Sequence, residues 1–166
     1  MIFGKPYEFA VFFDVFERSD FGKWKYGYFG FYIEDKLYPS VLSNYTLNIN
    51  VPWMRDSCAE MVECKNDISL ATGDVFESFV RVAHSHRELV AGDPRDLDLP
   101  SSEPIGVLLS PLETLDVGFF LFYCPVDEES ECLIYSADWG KTANRYVLKR
   151  GYVKSVFEQL PDEVDI

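Results

Sequence analysis

Two stretches near the start of the chain constrain its fold more than anything else in the sequence. Tyr7 to Phe16 contains Phe9, Ala10, Val11, Phe12, Phe13, Val15 and Phe16, and Tyr26 to Ile33 sets six aromatic or β-branched residues around Gly27 and Gly30. Such side chains suit a pleated, half-buried surface, so both stretches are predicted strands. The first is too continuously apolar for a strand with one wet face. Glu34-Asp35-Lys36 supplies a tight turn into a short strand at Leu37-Tyr38. Pro39 ends that strand because it has no N–H for a ladder. Thr46 to Val51 alternates Leu47, Ile49 and Val51 with Asn48 and Asn50, which predicts a further half-buried strand.

The period changes in the middle of the chain. Ser57 to Lys65 reads as a short helix with Ala59, Met61 and Val62 on its apolar side. From Asp74, the residues Val75, Phe79, Val82, Ala83 and His86 recur at three and four, and Leu89 and Val90 continue the stripe. Asp74 is placed as N-cap, with Glu77 three residues on as the capping-box acid. Gly92 to Pro104, with three prolines and several acids, is predicted to be an exposed loop. Val107 to Leu109 is a short strand. Ser110-Pro111-Leu112-Glu113 then places Ser at the N-cap, Pro at the first helical position and Glu at the third. Val117 to Cys124 and Cys132 to Ser136 are the arms of a hairpin whose loop holds Asp127, Glu128, Glu129 and Glu131. Tyr146 to Leu148 is a last strand. Gly151 to Leu160 is a closing helix with Val153, Val156, Phe157 and Leu160 on one face. The sum is an α+β fold, a mainly antiparallel sheet packed against a mid-chain helix and a C-terminal helix. At 166 residues the chain is expected to form one domain over 1–166.

Charge is distributed unevenly along this framework. Glu88 to Asp138 carries twelve acidic residues and one Arg, so this stretch holds 11 of the 13 net negative charges, while positions 1–50 have six acids against five bases. A field of this shape attracts a basic partner and speeds encounter. It excludes nucleic acid, whose phosphates need Lys and Arg, and it excludes anionic membrane surfaces. No run approaches the ~20 apolar residues of a membrane span. The N-terminus lacks the charged, apolar and cleavage segments of an export signal, so a cytoplasmic location is expected.

Chemistry is sparse. Five residues separate Cys58 from Cys64 and seven separate Cys124 from Cys132, both outside the usual zinc-knuckle gap. A zinc site from His84, His86 and two cysteines is the minority reading, and free buried thiols the main one. Cys124 and Cys132 could face each other across the hairpin, a placement that permits a disulfide without requiring one. The glycines Gly22, Gly27 and Gly30 sit among bulky aromatics, unlike a phosphate loop, and no Gly-x-Ser-x-Gly elbow is present. The expectation is no enzyme, no cofactor and no metal. Two alternatives stay open: a small enzyme built on a Cys–His or carboxylate pair, and an acidic adaptor for another basic protein.

Both ends of the chain carry a resemblance. Met1-Ile2-Phe3-Gly4-Lys5-Pro6-Tyr7-Glu8-Phe9-Ala10 resembles the opening of the immunity protein 42 family of bacterial polymorphic-toxin systems. Gly30 to Pro39, Gly106 to Ser110, Cys132 to Ser136 and Arg150 to Val153 are similar to further segments of that family. Arg55 to Pro104 carries no matching motif. The resemblance implies a small cytoplasmic antidote that binds and blocks one cognate toxin domain. Opposite charge brings such a pair together quickly, and toxin domains that cut nucleic acid are often basic because their substrate is a polyanion. The partner is therefore expected to be a basic toxin domain. The residues expected to meet it are Asp93, Asp96, Asp98 and Glu103 in one loop, and Asp127, Glu128, Glu129 and Glu131 in the other.

Overall fold

The computed structural model describes residues 1–40, 43–86 and 103–166. In chain order the elements are β1 (Ile2–Lys5), β2 (Phe9–Arg18), β3 (Lys25–Ile33), β4 (Lys36–Tyr38), β5 (Tyr45–Thr46), α1 (Leu47–Glu63), α2 (Ser69–Thr72) and α3 (Val75–Ser85). After them come β6 (Val107–Leu108), α4 (Leu112–Leu115), β7 (Phe120–Pro125), β8 (Ser130–Ser136), β9 (Asn144–Lys149) and α5 (Tyr152–Phe157). Contacts group the chain into two compact units, one of 1–59 with 152–166 and one of 60–151. The architecture is α+β, with one antiparallel sheet in each unit.

The first unit is built on β1-β2-β3-β4, with β5 also paired to β3. Phe9, Val11, Phe13, Phe29, Phe31 and Ile33 are fully buried or nearly so, which is the alternate-residue pattern of one sheet face. α5 lies on that side, with the Phe157 ring 6.1 Å from the ring of Phe9, and Val153 and Val156 are also buried. Glu34 and Asp35 both have positive φ, 50° and 62°, between the paired residues Ile33 and Lys36. That is the two-residue turn whose twist matches a hairpin.

One predicted strand is a helix. Leu47 to Val51 opens α1, and Ile49, which a strand would have turned inward, is 53% exposed. The buried residues Leu47, Val51, Met54 and Met61 recur at helical spacing, and over five residues Leu47 and Val51 satisfy both periods. The buried Asn48 tips the balance: its side chain accepts from the Lys25 N–H at 3.1 Å and donates to the Lys23 carbonyl at 3.3 Å. Of the helix expected over Ser57 to Lys65, the part up to Glu63 is the second half of α1, but Ala59 and Val62 are exposed and Ser57 is buried.

The second unit is built on β6-β7-β8-β9. β7 is buried along its whole length, and β8 from its second residue on. α3 covers one face, where Phe79, Val82 and Ala83 join Phe120, Phe122, Cys124, Cys132 and Ile134 in a single core. Asp74 is the N-cap of α3 and accepts the Glu77 N–H at 2.9 Å, as the sequence predicts; Leu89 and Val90 lie outside the described residues. Ser110 does not cap α4. Pro111 holds that position, and the buried Ser110 hydroxyl accepts the Leu121 N–H at 2.6 Å. A backbone donor of the sheet takes the Ser oxygen that the helix end would have used.

Candidate functional site

The eight acids predicted to meet a partner fall into different places. Asp93, Asp96 and Asp98 lie outside the described residues. Glu103 is exposed, 3.0 Å from the ammonium of Lys65. Asp127 is engaged in the turn: its carboxylate accepts the Ser130 hydroxyl and N–H, both at 2.8 Å, and the Glu129 N–H at 2.9 Å. These bonds, the Ser130 hydroxyl above all, hold its carboxyl below the usual range. Glu128 and Glu129 are exposed at the tip. Glu131 is not in the loop. It belongs to β8, is fully buried, and accepts the Gly151 N–H at 2.7 Å. The phenol of Tyr123 also bonds to it, and burial with this carboxylate beside it pushes that phenol well up. The hairpin thus places two acids on its surface and uses two to hold itself together.

Glu128 reaches a groove in the same unit through Asn66, which lines it. The groove encloses about 400 Å³ and is lined by Glu60, Glu63, Cys64, Asp67, Glu103 and Ile105, among others. Glu60 and Glu63 stand one turn apart at the C-terminal end of α1. Gly106 shapes the opposite wall. With φ +69° it approaches so closely that a Cβ would lie 2.5 Å from the Tyr123 carbonyl oxygen, so a side chain there would displace the wall.

Hydrogen bonds join groove and hairpin into one surface. The Asp67 N–H donates to the Pro125 carbonyl at 3.0 Å, and the Asn66 amide donates to Glu128 at 3.1 Å. Arg150 donates to Asn66 at 2.8 Å and to the Asp127 carbonyl at 3.1 Å. Asp67 is held by Arg81 at 2.9 Å. Glu60, Glu63 and Glu129 form no ion pair among the described residues, so the surface keeps an uncompensated negative charge. The last carbonyls of α1 add the negative end of the helix dipole, where acids are ordinarily unfavourable by about 0.3–1 kcal/mol. That cost is understandable if the charge serves a partner. The sequence signal for this pair is two acids in a last helical turn with no base.

The groups suited to nucleophilic chemistry are otherwise engaged. Burial pushes the Cys64 thiol up, against a lowering contact from the Gly106 backbone. Cys124 and Cys132 face each other in register as free thiols. Their shared hydrogen bond, together with burial, holds Cys124 well above the usual thiol range. His86 bonds the Ile105 carbonyl at 3.0 Å and packs on Phe122. No cluster of three or more His, Cys, Asp or Glu that could hold a metal occurs among the described residues, and no described helix is long and apolar enough to cross a membrane. What the surface offers is attraction for ammonium and guanidinium groups.

The family described as Immunity protein 42 matches residues 1–163. An uncharacterised protein of Pasteurella multocida (strain Pm70) is 26% identical over 146 residues, 84% of this chain and 86% of that protein. The crystal structure of CdiI from Burkholderia dolosa AUO158 is similar over 95% of this chain and 96% of that one, with a TM-score of 0.74 and 25% identity.

Proposed function

We propose a function from the family: this chain belongs to the immunity protein 42 family, and it neutralises a cognate bacterial toxin domain by binding and covering it. The observation that carries this reading is the acidic surface of the second unit, with Glu60, Glu63 and Glu103 lining the groove, Glu128 joined to it through Asn66, and Glu129 exposed beside Glu128 on the hairpin. Such a surface fits a basic toxin domain, with toxins that act on nucleic acid as the best match, because carboxylates can stand where phosphates would bind. The antidote acts by occlusion and needs no catalysis, cofactor or metal; it works in the cytoplasm, and nucleic acid and membranes are not its partners. The two compact units serve as one domain, a reading supported by a family match that extends across both.

Association kinetics test the proposal. If the acidic surface steers encounter, the on-rate for the cognate toxin domain falls steeply between ~50 and ~500 mM salt, while the off-rate changes less. An on-rate flat across that range removes steering from the account. Failure of the chain to protect cells from that toxin removes the function.

A further inference from the structure

The first unit carries a second surface that the acidic groove does not explain. β2 and β3 pair with Phe12 opposite Gly30, Asp14 opposite Tyr28 and Glu17 opposite Tyr26, and the register shifts between Val15 and Glu17. Opposed residues in an antiparallel pair share a face. Phe12, Asp14 and Glu17 therefore stand on the same side as Tyr26, Tyr28 and Tyr32. The bulge adds Phe16 to that side, where its ring lies 5.0 Å from the ring of Tyr28. A bulge re-aims side chains, and here it sets an aromatic and an acid next to each other. The Phe12 and Tyr32 rings meet further along at 6.2 Å.

This face is wet. Phe16 is 54% and Tyr28 38% exposed, and at the tip of the same hairpin Phe21 is fully exposed at φ +69°. A non-glycine residue in that region costs energy and persists where its surroundings hold it there. The nearby cations are turned to other groups, and Arg18 and Lys25 pair with each other in register rather than with the residues of this face. Arg18 donates to the Ile166 carbonyl, Lys25 to the Glu163 carbonyl, and Lys23 lies 5.4 Å from the Trp24 ring. The side-chain carboxylates of Asp14, Glu17 and Asp20 meet no cation among the described residues.

We propose that this aromatic and acidic sheet face docks an arginine-bearing segment of the toxin domain, a reading that rests on the proposed function. Charge complementarity fixes the occupant. A guanidinium stacks on the exposed rings by cation–π attraction and pairs with the interleaved carboxylates. A second copy of this chain would bring a net charge of −13 against the same acids.

Titration calorimetry on the full chain tests the proposal with three probes: an arginine octapeptide, a lysine octapeptide and the cognate toxin domain. The variants are Phe16→Leu with Tyr28→Leu, which keeps apolar area and removes the ring faces, and Asp14→Asn with Glu17→Gln. Unchanged circular dichroism shows that each is folded. Each pair is expected to weaken toxin binding at least tenfold, and the ring pair to weaken the arginine octapeptide more than a lysine octapeptide. If wild type binds the toxin and both pairs bind it equally well, the docking face is overturned and the proposed function stands. If wild type does not bind the toxin, the proposed function fails and this assignment of the occupant fails with it; the arginine octapeptide then reports whether the rings retain a guanidinium preference. Concentration-dependent dimerisation abolished by the ring pair overturns the proposal in favour of a second copy.

Discussion

The two sheets solve the same problem in opposite ways. In the first unit β2 and β3 bury one face and leave the other lined with Phe16, Tyr28 and their neighbours in water. In the second, β7 and β8 are buried on both faces, and polar function moves to the rim. Charge follows the same division: residues 60–151 hold 17 acids against 8 bases, leaving 11 acids and 7 bases for the remainder. A sheet with no wet face cannot offer its own side chains to a partner, so recognition there falls to a helix end and a hairpin tip. A sheet with an open face can recognise through the strands themselves.

Large core truncations test whether the two units are energetically separate. Phe31→Ala in the first sheet and Phe79→Ala under α3 each remove a fully buried ring and are expected to cost about 3–5 kcal/mol. If the units act as one domain, both lower the same single transition in denaturant; two separated transitions, each moved by one variant, would break that reading. Glu131→Ala comes next. It leaves the Gly151 N–H without its acceptor, so a loss of about 2–3 kcal/mol, or roughly 5–10 °C in melting temperature, is expected. A change near zero would return Glu131 to the surface.

Changing Glu60, Glu63, Glu128 and Glu129 together to Gln should weaken toxin binding by at least ~1.4 kcal/mol, which is tenfold. Stability should stay level or rise, because two acids leave the C-terminal end of α1. Toxin affinity equal to wild type would make this rim a solubilising surface. Asp74→Ala removes the cap of α3 at about 1 kcal/mol, read as a lowered midpoint in urea. The smallest effect concerns pH. The carboxyl of Asp127 is held low when folded, so its contribution is present above the unfolded value near ~3.9 and is lost as pH falls through the lower folded value. Asp127→Asn should flatten the acid limb of a stability–pH curve, and an unchanged limb would show that the turn bonds do not matter.

How much of this was readable beforehand depends on the length of each signal. The sequence by itself determined the long strands β2 and β3, the capped helix α3, the closing helix and the family, and it allowed Cys124 and Cys132 to face each other, which the strand register then placed opposite one another. What it determined rests on a local pattern repeated over several residues or on the match to relatives. It misread Leu47 to Val51, where five residues satisfy two periods and only the burial of Asn48 against Lys23 and Lys25 chooses between them. It placed Ser110 at a helix cap because it could not show that the Leu121 N–H needed that oxygen. It counted Glu131 with its loop neighbours, since nothing local separates a carboxylate in water from one that accepts a buried N–H. The candidate site was legible in its sign but not in its shape. Acidity is additive along a chain, whereas a groove requires Glu60 and Glu63 to meet Glu103 from about forty residues away. Only tertiary packing brings such residues together, because it depends on which distant groups satisfy one another.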